Sequence, residues 1–362
     1  VQYLRMDKTA QNQPPVPRLK WAVLGTGAIA STFAEDIRLT GNAELAAVSS
    51  RTPEAAAAFS HRFGPLRILA DIATLAADPL IDAVYLATPN TAHYDQAQTL
   101  LTAGKPVLVE KPLATSAAQA RSLAELAARR HVFAMEGLWT VYLPAIDRVR
   151  SLLAGNAIGA VTRIRAELAY AKAFDGNSRF FSQALGGGSL LDLGIYPIAL
   201  TLALFGSPQT VAGRWRAAPT GVDMAADIRL GYDGFEAALS CGFDRNGDNR
   251  FIIEGETGNL VIDAPFLRAS RVIVTRNRLA GRLATPAGSG RLARAISKIA
   301  RRLPLPGLTV YEHGFPGNGL QFEIEAASKA ILEGKREQPS MPLGSSAEAL
   351  GIIETILAQP AS

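Results

Sequence analysis

One cysteine, Cys241, and four histidines (His61, His93, His131, His313) are spread over 362 residues. A single thiol cannot close an internal disulfide, so the core itself has to hold the fold. These five residues show no metal-ligand spacing, and no metal site is expected. Charged residues are sparse, at 19% against 48% hydrophobic. That balance excludes a disordered chain, and a chain of this length supports about two domains. A long uninterrupted apolar run is also missing. The most apolar stretch, 188–206, contains Asp192 and Pro197, and reads as a buried helix with no integral membrane segment. Residues 1–19 include Pro14, Pro15 and Pro17 but no apolar signal core; they read as a flexible tail. Met6 reads as a natural start, and the expected location is cytoplasmic, with an export leader already removed as the alternative.

Acidic residues are absent from 264–310, a stretch that holds ten of the 37 basic residues. The net charge of +5 therefore belongs to one segment, the rest of the chain is net acidic, and a general nucleic-acid-binding surface is not indicated. Within this basic insertion, 291–303 reads as an amphipathic helix with Leu292, Ile296, Ile299 and Leu303 on one stripe. Packing on the second domain or at a subunit edge is the favoured reading. Contact with an anionic membrane surface and closure over an anionic substrate are the alternatives.

From Lys20 to Glu136 short apolar runs alternate with helical patterns. Predicted strands at 21–24, 45–49, 68–70, 83–87, 107–109 and 132–134 imply a parallel, doubly wound α/β sheet. After Gly155 the period drops to two, and little helix separates the strands at 161–170, 222–230, 235–241, 251–254, 260–263 and 271–275. A mostly antiparallel sheet is expected there, covered by helices 189–205 and 320–333. The expected organisation is a Rossmann domain over 20–140, an α+β substrate and oligomerisation domain over 141–345, and a C-terminal helix over 346–362.

Leu24-Gly25-Thr26-Gly27-Ala28-Ile29-Ala30 joins the first strand to the first helix. In that setting G-x-G-x-x-A points to a dinucleotide. One glycine makes the tight turn, the next lets a pyrophosphate approach, and the helix N-terminus supplies free N–H groups. The second strand ends Val48-Ser49-Ser50-Arg51, without the carboxylate that commonly binds an NAD ribose. Arg51 can pair with a 2′-phosphate and Ser50 can donate to it, so NADP(H) is favoured over NAD(H).

Two further motifs carry chemistry. Val109-Glu110-Lys111-Pro112 ends the fifth strand, and Gly186-Gly187-Gly188-Ser189-Leu190-Leu191-Asp192-Leu193-Gly194-Ile195-Tyr196 opens a helix. Ligands bind at the carboxyl ends of strands in open α/β sheets, which aims Lys111 at the cleft. Asp192 and Tyr196 are four apart and share a helix face. An aspartate in so apolar a helix needs a partner, and a lysine from the other domain would supply one.

With Ala87-Thr88-Pro89-Asn90 and His93, these motifs resemble in order and spacing the glucose-fructose oxidoreductase / inositol dehydrogenase (Gfo/Idh/MocA) family, over about 20–357. Met135-Glu136-Gly137-Leu138-Trp139-Thr140 and Gly194-Ile195-Tyr196 resemble the dihydrodiol dehydrogenase and glucose-fructose oxidoreductase branches. The resemblance implies a Rossmann domain followed by a large open sheet through which subunits form a homodimer or homotetramer. It implies catalytic roles for Lys111, Asp192 and Tyr196. Thr88, Pro89, Asn90, His93 and Glu110 would lie near the cofactor with Gly25, Thr26, Gly27, Ala28 and Ile29, and Trp139 would line the substrate pocket. Arg179, just before the glycine run, reads as a surface arginine with substrate contact as the alternative. Dihydrodiol dehydrogenases usually carry arginine where this chain has Val141, which weakens that substrate assignment.

The resulting expectation is an oxidoreductase that moves hydride between nicotinamide and a hydroxyl or carbonyl of a sugar, anhydrosugar or cyclic polyol. Tyr196 is the favoured proton donor in reduction, with Lys111 close behind. A trans-dihydrodiol dehydrogenase, a cofactor-retaining sugar–sugar oxidoreductase, an NAD-assisted glycosidase and a ligand sensor without turnover are the alternatives.

Overall fold

The computed structural model describes residues 17–277, 283 and 305–361. The predicted basic helix at 291–303 and most of the predicted tail lie outside them. The first half alternates β1 (Leu19–Leu24), α1 (Ala28–Asp36), β2 (Ala43–Ser49), α2 (Pro53–Phe63), β3 (Arg67–Leu69), α3 (Ile72–Ala77), β4 (Ala83–Leu86), α4 (His93–Thr102), β5 (Val107–Glu110), α5 (Ala117–Arg130) and β6 (Ala134–Gly137). Every pairing is parallel, in the order β3-β2-β1-β4-β5-β6. That order reverses between β1 and β4 and opens a crevice at their carboxyl ends. Strands β4, β5 and β6 are buried along their whole length, as a sheet covered on both faces requires. Thr52 and Ser116 cap α2 and α5, accepting from Ala55 N and Gln119 N.

The second half contains α6 (Pro144–Ala154), β7 (Val161–Ala169), α7 (Ile195–Phe205), β8 (Thr210–Ala217), β9 (Asp223–Tyr232), β10 (Phe235–Gly242), β11 (Phe251–Gly255), β12 (Asn259–Ile262), β13 (Arg271–Thr275), β14 (Leu308–Glu312), α8 (Leu320–Leu332) and α9 (Leu343–Leu357). The sheet order is β14-β13-β12-β11-β7-β10-β9-β8, and only β7 and β10 pair in parallel. On β9, Ala226, Ile228 and Leu230 are buried while Asp227 and Arg229 face outward, the alternation of a sheet with one covered face. Helix α7 packs between this sheet and α9. It is buried from Ile195 to Leu202, which makes it a core helix.

Several boundaries differ from the sequence reading. Strand β6 begins at Ala134: Val132 N still bonds back to Ala127 O of α5, while Phe133 O accepts from Val107 N at the start of β5. Strands β8 and β14 were not anticipated: β8 is largely exposed and carries Gly213 in its middle, and β14 follows the basic segment. Residues 271–275 and 308–310, both within the expected insertion, pair as strands of the sheet. Helix α9 begins at Leu343 and packs on α5, returning the chain to the first half. Ala117 N donates to Glu354 Oε1 at 2.8 Å. Asp36, wholly buried at the end of α1, accepts from the backbone N–H groups of Asn318, Gly319 and Leu320. It thereby caps α8 from 284 residues away.

Candidate active site

Gly25 follows β1 at φ +111°, and a Cβ there would lie 2.5 Å from Ala87 O. Only glycine fits this crossing of the β1 and β4 ends. Gly27 has open space around its Cα. As N-cap it leaves the first turn of α1 without any side-chain bond, so the free N–H groups of Ala28 and Ile29 face the crevice. Thr26 Oγ1 lies 3.3 Å from Ser50 Oγ, which joins the turn to the end of β2. Arg51 is exposed there, with no hydrogen bond or ion pair among the described residues. A cramped first glycine, an open second one and an uncapped helix fit the pyrophosphate of a dinucleotide.

Lys111 follows the end of β5. Asp192 sits in a π turn over Leu190–Gly194 that runs directly into α7. The sequence predicted one regular helix from Ser189. Its first turn is widened instead, because it is anchored from below. The Asp223 carboxylate accepts from Ser189 Oγ at 2.7 Å and from Leu190 N at 2.6 Å. Gly194 lets the turn press on Cys241, whose Sγ would lie 3.0 Å from a Cβ there. Local π geometry is frequent at functional sites.

Lys111 Nζ donates to Asp192 Oδ1 at 3.1 Å and to the Asp192 main-chain oxygen at 2.7 Å. It lies 5.0 Å from the centroid of the Tyr196 ring. The two charged side chains are only 13% and 14% exposed. Burial opposes charge on both, yet mutual attraction wins: Lys111 is held above and Asp192 below its ordinary pKa. Burial pushes the Tyr196 phenol up to about 12, with Lys111 acting the other way. Arg179 joins the group through Nη1, 3.5 Å from Asp192 Oδ1.

The surrounding residues support this group from behind. His93 is wholly buried; its Nδ1 lies 2.8 Å from Pro112 O and its Nε2 2.9 Å from Thr88 O. Its ring ties the loops after β4 and β5 together, with both nitrogens engaged by main-chain oxygens. Glu110 also turns inward. It accepts from the Tyr85 hydroxyl and from Lys111 N at 3.2 Å, and burial raises its pKa to about 7. Asn90 Nδ2 bridges the halves by donating to Gly186 O at 3.2 Å, while Thr88 Oγ1 donates to Gln96. Pro89 is exposed at the tip of the same loop. Trp139 is partly buried against Gly319, where a Cβ would meet its ring at 2.6 Å.

Sequence reasoning missed Asp223, which anchors the π turn, and Lys172, which rests on the Phe180 ring. Asp223 is an acid in a largely apolar segment, a signal that could have marked it. Lys172 follows β7 in no motif at all.

A Rossmann sheet, an open turn for a dinucleotide and a buried Lys–Asp pair beside a phenol define a two-domain nicotinamide-dependent redox enzyme. The description "Oxidoreductase family, NAD-binding Rossmann fold" matches residues 19–138 and the GFO/IDH/MocA C-terminal domain matches 146–261. The chain belongs to the GFO/IDH/MocA family and is an NAD(P)-dependent oxidoreductase. It is 28% identical to bovine (Bos taurus) trans-1,2-dihydrobenzene-1,2-diol dehydrogenase over 93% of this chain and 96% of that one. It is 33% identical to the scyllo-inositol 2-dehydrogenase (NADP(+)) IolU of Bacillus subtilis (strain 168) over 68% and 76%. In fold it is similar to KijD10, a 3-ketoreductase from Actinomadura kijaniata solved with NADP and TDP-benzene. The TM-score is 0.77 at 23% identity, covering 94% of this chain and 97% of that one.

Proposed function

We propose that this protein is an NADP-dependent oxidoreductase that transfers hydride between nicotinamide and a secondary hydroxyl or carbonyl of a sugar, anhydrosugar or cyclic polyol. The observation that carries the reading is the contact of the Lys111 ammonium with the Asp192 carboxylate beside the Tyr196 ring, at the carboxyl end of the parallel sheet. The nicotinamide, when bound, supplies or accepts the hydride. Gly25, Thr26, Gly27, Ala28 and Ile29 would hold its pyrophosphate, and Ser50 and Arg51 its 2′-phosphate.

The chain's own residues handle the proton and the charge. In a reduction, negative charge grows on the carbonyl oxygen, where a fixed cation stabilises it and an acid must protonate it. Lys111 is that cation. Two of its protons are committed to Asp192, which holds the ammonium in one orientation. Tyr196 keeps its proton at neutral pH, its pKa being near 12, and is the proton donor in this reading. Asp192 orients and does not exchange protons. Asn90 and the His93 clamp hold the walls of the cleft in register.

The dihydrodiol relatives support a hydroxyl substrate on a ring, and the inositol relative supports both NADP and a cyclic polyol. Val141, buried at the position where dihydrodiol dehydrogenases carry arginine, favours the sugar or polyol. In this reading the enzyme acts in the cytoplasm, and the outer face of the eight-stranded sheet joins it into a homo-oligomer. The test is mass spectrometry of the cofactor that co-purifies with the native protein, followed by a screen of sugars, polyols and trans-dihydrodiols with that cofactor. NADP and turnover of a sugar or polyol are expected. Tight NADP binding without turnover of any of them would make the protein a ligand sensor and overturn the reading.

A further inference from the structure

Asp192 faces three cations, Lys111, Arg179 and Lys172. Lys111 is its hydrogen-bonded partner, and Arg179 reaches it from the segment before the glycine run. Lys172 makes no ion pair with any described residue. Its ammonium rests 3.7 Å from the centroid of the Phe180 ring and 5.4 Å from that of Phe243. The Arg179 guanidinium lies 4.2 Å from the same Phe180 centroid. One aromatic ring therefore holds two cations at the edge of the cleft. Cation–π contact fixes their positions without neutralising them.

The charges acting on Lys172 are Asp192, Arg179 and Lys111. The single carboxylate in that set is already bonded to Lys111. Asp175, on the same segment, spends its Oδ1 on Asn177 N at 3.0 Å. Three cations share one carboxylate, so the cluster keeps a net positive charge that a further anion would offset. The dinucleotide phosphates are not that anion, because the α1 N-terminus and Arg51 lie on the Rossmann half, whereas Lys172 and Arg179 lie on the substrate half beside Asp192.

We propose that Lys172 and Arg179 form an anion subsite at the cleft mouth, so that the substrate is a sugar or polyol bearing a carboxylate or a phosphate ester. The inference rests on the sugar or polyol reading above and narrows it. Lys172 is a specificity residue that touches the charged substituent, while hydride and proton move at the Lys111–Tyr196 end.

The test compares the full-length enzyme on matched substrates with its cofactor: glucose, glucuronate and glucose 6-phosphate, then inositol and inositol phosphate. The wild type is expected to favour the anionic member of a pair by at least about tenfold in kcat/KM, mostly through KM. Lys172→Gln should lower that preference about tenfold, and Lys172→Arg should restore it. The carboxylate and phosphate arms identify which anion is read. A preference near unity that Lys172→Gln leaves unchanged overturns the inference. If no substrate turns over, the redox reading fails separately, and calorimetric binding of glucuronate and glucose 6-phosphate decides the subsite. Loss of binding in Lys172→Gln sustains it; equal or absent binding overturns it.

Discussion

Lys111 and Asp192 stand 81 residues apart in the chain and in different halves of the fold, yet Lys111 Nζ donates to both the Oδ1 and the main-chain oxygen of Asp192. The main-chain bond is the more telling of the two. It requires the π turn to present a carbonyl to the ammonium, so the widened turn is part of the site.

Removing Asp192 leaves the buried Lys111 ammonium without its ion-pair partner, and removing Lys111 leaves Asp192 only the longer contact from Arg179; both are costly. Lys111→Ala and Asp192→Ala are each expected to lower kcat at least about a hundredfold, and Tyr196→Phe by a similar factor. Steady-state kinetics with the substrate found by screening checks this. Turnover within tenfold of wild type in all three variants would refute the assigned roles.

Arg51 is exposed just after β2 and has no hydrogen bond or ion pair among the described residues. Arg51→Ala should raise the KM for NADPH at least about tenfold more than that for NADH, because a charge-assisted contact to phosphate is lost only with the former. Equal effects on the two cofactors would remove the preference for NADP.

The two glycines of the turn should behave differently. Gly25→Ala meets Ala87 O at 2.5 Å at a positive φ; it should cost about 2 kcal/mol or more of stability. Gly27→Ala meets nothing within 4 Å. It should leave the Tm within about 1 °C of wild type, since no mechanism for a large loss is present. It should nevertheless weaken dinucleotide binding, which titration of cofactor fluorescence would show. Unchanged binding in Gly27→Ala would move the pyrophosphate elsewhere.

Buried carboxyls set the pH dependence of stability. Burial raises Glu110 from 4.5 to about 7 and Asp223 from 3.8 to about 6. Glu323, with neither carboxyl oxygen bonded to a described residue, is raised well above its ordinary value by burial. The folded state thus holds these protons more tightly than the unfolded state. Their contribution is fully present below about pH 4 and is lost as pH rises through about 7. Asp192, shifted down, opposes this only in stronger acid. The Tm of the cofactor-free protein should be higher at pH 5 than at pH 8. Glu323→Gln should raise the Tm at pH 8 by a few degrees and change it little at pH 5, as thermal scans at both values would show.

Local chemistry made the Rossmann half readable from the sequence. The glycines of Gly25–Ala30, the caps Thr52 and Ser116, and the continuous apolar strands each act within a few residues of themselves, so the chain announces them. The missing carboxylate after β2 and the lysine after β5 are likewise fixed by position on a strand end. Helix 189–205 was legible as apolar, but its π turn was not, because Asp223 and Cys241 impose it from strands far along the chain. The same holds for the inward turn of His93 and Glu110, for the cap that Asp36 supplies to α8, and for the unpaired Lys172 beside Phe180. In each case the deciding partner is distant in sequence and near in space. Burial then determines which charges survive, and only tertiary packing sets burial.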